Sequence, residues 1–194
     1  LLLPLCKENF IERDSLKVHI IDKDEVNAFA MPDNHLVVYT GLILKCKNEQ
    51  ALLGVLGHEI AHLQKNHVMK KLSKEIGFSV LMSMTGANAT MIKEVLHTLS
   101  SSAYDRNLER EADMESVNYM INANIDPRPF ADFMYELSLN NEIHKYTYWI
   151  STHPESEERA KYILNYLKGK KIKNTTILSK ESWLAFKQKI KDSN

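Results

Sequence analysis

"LGHEIAHLQKNH", Leu56 to His67, places three histidines and a glutamate within a short stretch. His58 and His62 are four apart, about 400° of helical rotation, so both imidazoles would leave one face a turn apart. That is the geometry in which a helix offers two ligands to a tetrahedral metal ion. Glu59 lies at the edge of that face, where it can reach a water beside the ion without binding the ion. H-E-x-x-H on a helix is the metalloprotease signature, with the glutamate as general base. The bland alternative is two ordinary histidines on a helix that happens to carry a glutamate. It fails on cost, because Leu56, Ile60, Ala61 and Leu63 make the segment buried. Two imidazoles and a carboxylate buried there without a partner would be expensive.

Working outward, Asn48 is a good N-cap, and Leu52, Val55, Leu56, Ile60 and Leu63 recur at three- and four-residue spacing. The spacing predicts a helix from Glu49 to about Leu72. On a continuous helix His67 lies about 900° round from His58, on the opposite face, and reads as surface or structural. A longer motif with a third histidine would need glycine at 65 and histidine at 68, where this chain has Lys65 and Val68. The third ligand must come from elsewhere. "DRNLEREAD", Asp105 to Asp113, offers Glu109 and Asp113 on one helical face, with Glu111 turned about 200° from Glu109. Glu109 is the expected ligand. Asp113, one turn on, is expected to hold the distal nitrogen of a ligating histidine. The alternative is three solvated acids beside Arg106 and Arg110.

The rest of the chain supplies the frame. "KVHII", "VNAFA" and "HLVVYT" read as three strands of an antiparallel meander, with Pro32, Asp33 and Asn34 as turn residues. Residues 76–100 read as a poorly specified helix or packed loop. Helices are expected from Asp105 to about Ala123, after Asp126-Pro127, after "THP" up to Gly169, and from Ser179. The whole is a mainly helical α+β chain, read as one domain over 1–194. Hydrophobic residues make up 44% and the formal net charge is zero, so nothing global argues for nucleic acid. From Lys161 onward nine lysines face two acids. Such a tail is usually a solvated surface, although contact with anionic lipid or an acidic partner stays open. No stretch is apolar for long enough to span a bilayer. The opening "LLLPLC" lacks the basic leader and small-residue site of a signal peptide. Cys6 and Cys46 form no C-x-x-C pair; they are either one disulfide or two free thiols.

Four segments together resemble the M48 zinc metallopeptidases. "NAFAMPDNHLVVYTGL", "ALLGVLGHEIAH", "DRNLEREAD" and "STHPESEER" follow in the family's order, over roughly residues 25 to 165, ahead of a basic helical tail at 170–194. Asp105 stands where the family has serine. The resemblance is to members without transmembrane helices. It implies a zincin-type (gluzincin) domain with a small antiparallel sheet packed on the H-E-x-x-H helix. It also implies one zinc ion per chain on His58, His62 and Glu109, and Glu59 as catalytic base. His153 would support the oxyanion or occupy the open coordination position in a resting form, with Arg159 in the same cluster. Asn34, His35, Leu36 and Val37 would present an edge to an extended substrate. The implied activity is endopeptidase action on protein or peptide substrates, in quality control and in the cell envelope or periplasm. The rival is a zinc-containing, self-inhibited binding module of chaperone type.

Overall fold

The computed structural model describes residues 1–77, 89–139 and 144–192. Helix α1 (Leu2–Glu8) and a short 3-10 turn (Arg13–Ser15) lead into strands β1 (Lys17–Ile21), β2 (Ala28–Met31) and β3 (His35–Tyr39). Helices follow as α2 (Thr40–Lys45), α3 (Glu49–Gln64), α4 (His67–Glu75), α5 (Ala89–Ser101) and α6 (Arg106–Asn122). The remainder are α7 (Arg128–Leu139), α8 (His144–Thr152), α9 (Ser156–Leu167) and α10 (Lys180–Asp192). The mainly helical α+β expectation holds. Of residues 76–100, read as helix or loop, 89–100 are helical and 78–88 lie outside the described residues.

The N-cap expected at Asn48 forms, and Asp105 caps the helix expected to start there. Asn48 accepts a hydrogen bond from the Ala51 N–H at 2.9 Å, and Asp105 accepts one from Asn107 N–H at 2.9 Å. Each satisfies a backbone donor that the first turn leaves free.

The sheet departs from the expected meander. Its order is β1-β3-β2, with β2 antiparallel to β3 but β1 parallel to it. Residues 22–27 do not turn back as a hairpin; they cross the end of β3. Gly41 N–H donates to Lys23 O at 2.9 Å and Tyr39 N–H to Asn27 O at 3.1 Å. The crossing is so close that a Cβ on Gly41 would lie 2.5 Å from the carbonyl oxygens of Asp24 and Glu25. Only glycine lets the two backbones approach in this way. The same order makes β3 the central strand, hydrogen-bonded on both sides. It has no edge to offer a substrate, and Leu36 and Val37 are buried. The expectation that Asn34, His35, Leu36 and Val37 present an open edge is therefore corrected, and the edge that approaches Glu59 is β2.

Helix α3 is the axis of the core. A Cβ on Gly54 would meet Phe130 at 2.3 Å, and the Ser116 hydroxyl donates to Gly54 O at 2.7 Å. Bare backbone on one side of α3 thus lets α6 and α7 pack close enough for α6 to deliver its acids. A second departure lies at the end of α3. The helix stops at Gln64, Asn66 takes a left-handed backbone (φ 56), and α4 starts afresh at His67. Asparagine tolerates that conformation better than most residues. Lys65 lies 3.8 Å from Glu111 and 3.6 Å from Glu115, which ties the turn to α6. His67 is therefore not on the far face of one long helix. It is completely buried, against His62.

Cys6 and Cys46 are both free, buried thiols, so the disulfide alternative falls. Burial pushes the Cys46 thiol up to about 12. Among the described residues, no helix is long and apolar enough to cross a membrane.

Candidate metal centre

Four buried side chains converge. His58 and His62 come from α3, Glu109 from the first turn of α6, and His153 from the turn between α8 and α9. One potential ligand atom from each lies within 4.8 Å of all the others. Glu109 Oε1 is central, 3.2 Å from His62 Nε2 and 3.0 Å from His153 Nδ1. His58 Nε2 lies 3.0 Å from His62 Nε2 and 3.2 Å from His153 Nδ1. Three imidazoles and a carboxylate crowded at such distances suit one divalent cation of the zinc type far better than they suit one another.

The outer nitrogen of His58 meets Asp113 Oδ1 at 2.8 Å, as the one-turn spacing from Glu109 predicts. Asp113 is gripped in turn by Arg159, whose Nε and Nη2 donate to it at 2.8 and 2.7 Å, and by the Tyr162 hydroxyl. Arg159 Nη1 also lies 2.6 Å from Glu109 Oε2. One buried guanidinium thus braces both buried acids of α6, Glu109 and Asp113. Burial alone would raise these carboxyls. The Arg159 charge instead holds Asp113 down at about 2, and Arg159 with His153 and His58 holds Glu109 well below its usual range. Burial opposes a charge on His58, but Glu109 and Asp113 outweigh it and lift its pKa to about 9. Burial holds His62 well below its usual value and His153 at about 4, so both stay neutral and able to bind a cation.

Glu59 is different. Its Oε2 accepts the Ala30 N–H of β2 at 2.9 Å, while its Oε1 has no hydrogen-bond partner among the described residues. His153 Nε2 lies 3.3 Å from that oxygen. Burial raises the Glu59 pKa to about 7, with the Ala30 N–H pulling the other way. A carboxyl poised near neutrality with one free oxygen beside the ligand cluster is placed to exchange a proton.

Three neighbours carry no motif. Tyr104 stacks on His62 with ring centroids 3.9 Å apart, and its buried hydroxyl has no hydrogen-bond partner among the described residues. Trp149 stacks on His153 at 4.1 Å. Lys71 lies over the Tyr104 ring at 4.0 Å, its pKa brought down by burial to about 8. None shows a period or spacing that marks it in the sequence, because all three arrive from separate elements.

A helix-borne H-E-x-x-H, a buried glutamate from a second helix beside it and an acid behind the first histidine have the layout of a metallopeptidase-type centre. The model of peptidase family M48 matches residues 3–167, and the chain belongs to that family. The bovine mitochondrial metalloendopeptidase OMA1 is 29% identical over 163 residues, covering 75% of this chain and 31% of its own length. The fission-yeast (Schizosaccharomyces pombe) OMA1 is 27% identical and covers 82% of this chain and 49% of its own. The beta-barrel assembly-enhancing protease of Yersinia pestis is 23% identical over 92% of this chain and 39% of its own. The chain spans about a third to a half of the length of these curated relatives.

Proposed function

We propose that the chain is a zinc-dependent endopeptidase acting on protein substrates, held in a resting form by His153. The observation that carries the reading is Glu59: a buried carboxyl with one oxygen fixed by β2 and the other free beside the ligand cluster. A structural metal site needs no such base. His58, His62 and Glu109 would hold the ion, which supplies Lewis acidity, lowering the pKa of water towards about 7 and polarising a carbonyl. Glu59 takes a proton from the attacking water and returns it to the leaving amine. His153 Nε2 and the Tyr104 hydroxyl are the buried donors without partners that could face a developing oxyanion once His153 swings off the cluster. An extended substrate would lie along β2, the edge strand that holds Glu59. A 460 Å³ groove lined by Phe29, Met31, Val37, Tyr39 and Leu96 suits apolar side chains beside that edge. Zinc-loaded protein is expected to digest casein, to stop on chelation and to resume when zinc is restored. Chelator-resistant digestion would sink the zinc assignment.

A role in protein quality control in the cell envelope or periplasm is part of the proposal. Family resemblance supports it, as does the relative named for β-barrel assembly. The second reading, a self-inhibited binding module of chaperone type, draws on one observation: every member of the cluster is buried and His153 sits within it.

His153→Ala separates the two roles open to His153, plug and oxyanion donor. As a plug, His153 leaves three ligands behind, so zinc content is expected to hold while the peptidase rate rises. If His153 serves mainly as an oxyanion donor, the rate falls by about two to three orders of magnitude. Bound zinc and rate measured on one preparation decide the sign.

The choice of ligand is checked at α6. Glu109→Ala is expected to abolish tight zinc binding, whereas Glu111→Ala retains it at reduced affinity. Equal zinc content at limiting metal would reject Glu109 as the ligand.

A further inference from the structure

The two cluster histidines on α3 are supported differently. Behind His58 stands the buried acid Asp113. Behind His62, among the described residues, stands not a carboxylate but another imidazole: His67 Nδ1 lies 3.1 Å from His62 Nδ1. The far nitrogen of His67, Nε2, lies 3.2 Å from Glu111 Oε2, and the Glu111 side chain is 48% exposed. We propose that His67 and Glu111 form a hydrogen-bonded relay that orients His62 for the metal. The proposal rests on the zinc reading above.

The tautomers follow from the facing atoms. His62 turns Nε2 towards Glu109 and His58, so its proton belongs on Nδ1, which donates to His67 Nδ1. His67 then carries its own proton on Nε2 and donates it to Glu111. Every nitrogen in the chain has one role, and the chain ends on a carboxylate at the surface. The break at Asn66 makes this possible, because a continuous helix would carry His67 to the far side. Lys65, tied to Glu111 and Glu115, holds the turn in place. Outer partners of ligating histidines lock ring orientation and raise donor strength. A neutral imidazole does this less strongly than a buried acid. His62 is thus the ligand whose strength is adjustable from outside, through Glu111.

The test is zinc affinity, read by competition with a chromophoric chelator, with the visible spectrum of the cobalt-substituted protein as a second readout. His67→Leu is expected to keep one zinc at saturation but to lose about 10–100-fold in affinity and to shift the cobalt bands. His67→Asn places an oxygen where Nδ1 was, so it should recover part of the loss. Glu111→Ala should weaken zinc several-fold in the parent and have no effect in His67→Leu, since Glu111 reaches His62 through His67 and Glu115 remains to hold Lys65 and the turn. Equal losses in His67→Leu and His67→Asn would make His67 packing alone and overturn the relay. So would additive effects of His67→Leu and Glu111→Ala. Should His67→Leu fail to fold, Glu111→Ala decides by itself: unchanged affinity and spectrum remove the relay. A parent chain that takes up no zinc removes the zinc reading and the relay together, whereas a zinc-binding parent with a silent Glu111→Ala removes the relay alone.

Discussion

Glu59→Gln is expected to cut proteolysis by about 10²–10⁴-fold, the range a positioned general base supplies, while zinc content stays at the parent value. Glutamine matches the shape of the side chain, and its oxygen still accepts the Ala30 N–H that fixes Glu59 Oε2. Only the proton acceptor is lost, and Glu59 is not among the four clustered candidate ligands. Stability should move the other way. Burial raises the Glu59 pKa from 4.5 to about 7, so its ionised form is disfavoured by the fold. That cost is absent below pH 4.5, grows as pH rises towards 7 and is constant above it. After zinc has been stripped by chelator, the glutamine variant is expected to be more stable than the parent by up to about 3 kcal/mol at pH 8, with the gap closing towards pH 4. Casein or peptide turnover, zinc content and melting curves across pH on one pair of preparations cover all of this. A variant that cleaves within a few-fold of the parent would show that another group takes the proton.

Arg159→Met is expected to cost about 3–5 kcal/mol of folding stability, the usual penalty for removing one partner from a buried ion pair. Methionine keeps the apolar stem but leaves Asp113 and Glu109 buried without the guanidinium that faces both. For a chain of this length the melting temperature should fall by roughly 10 °C. Arg159→Lys should recover only part, because an ammonium cannot reproduce the two-pronged contact of Nε and Nη2 with Asp113. Thermal unfolding of the two variants beside the parent reads both effects. A loss below about 1 kcal/mol in the methionine variant would mean that water or Tyr162 replaces the guanidinium, and the buried-pair account would fail.

Much of the centre was legible from local periodicity. A helix repeats every 3.6 residues, so spacing alone puts His58 beside His62 and Glu109 beside Asp113, and states which side chains share a face. Asn48 and Asp105 mark their helix starts because an N-cap is satisfied within its own turn. His153 and Arg159 came only through family resemblance, since no spacing joins them to α3 or α6. What local pattern cannot carry is how separate segments meet. The parallel pairing of β1 depends on a backbone crossing at Gly41 against Asp24 and Glu25, some sixteen residues away. That crossing makes β3 central and leaves β2 as the edge that grips Glu59, the reverse of the strand expected to receive substrate. The helix ends at Gln64 because Asn66 can turn left-handed and Lys65 finds acids on α6, while Val68 and Leu72 let a helical pattern be read on to Leu72. Periodicity records which face is buried but not where the axis bends. The bend brings His67 from the far face to the back of His62, and contacts between distant elements set it.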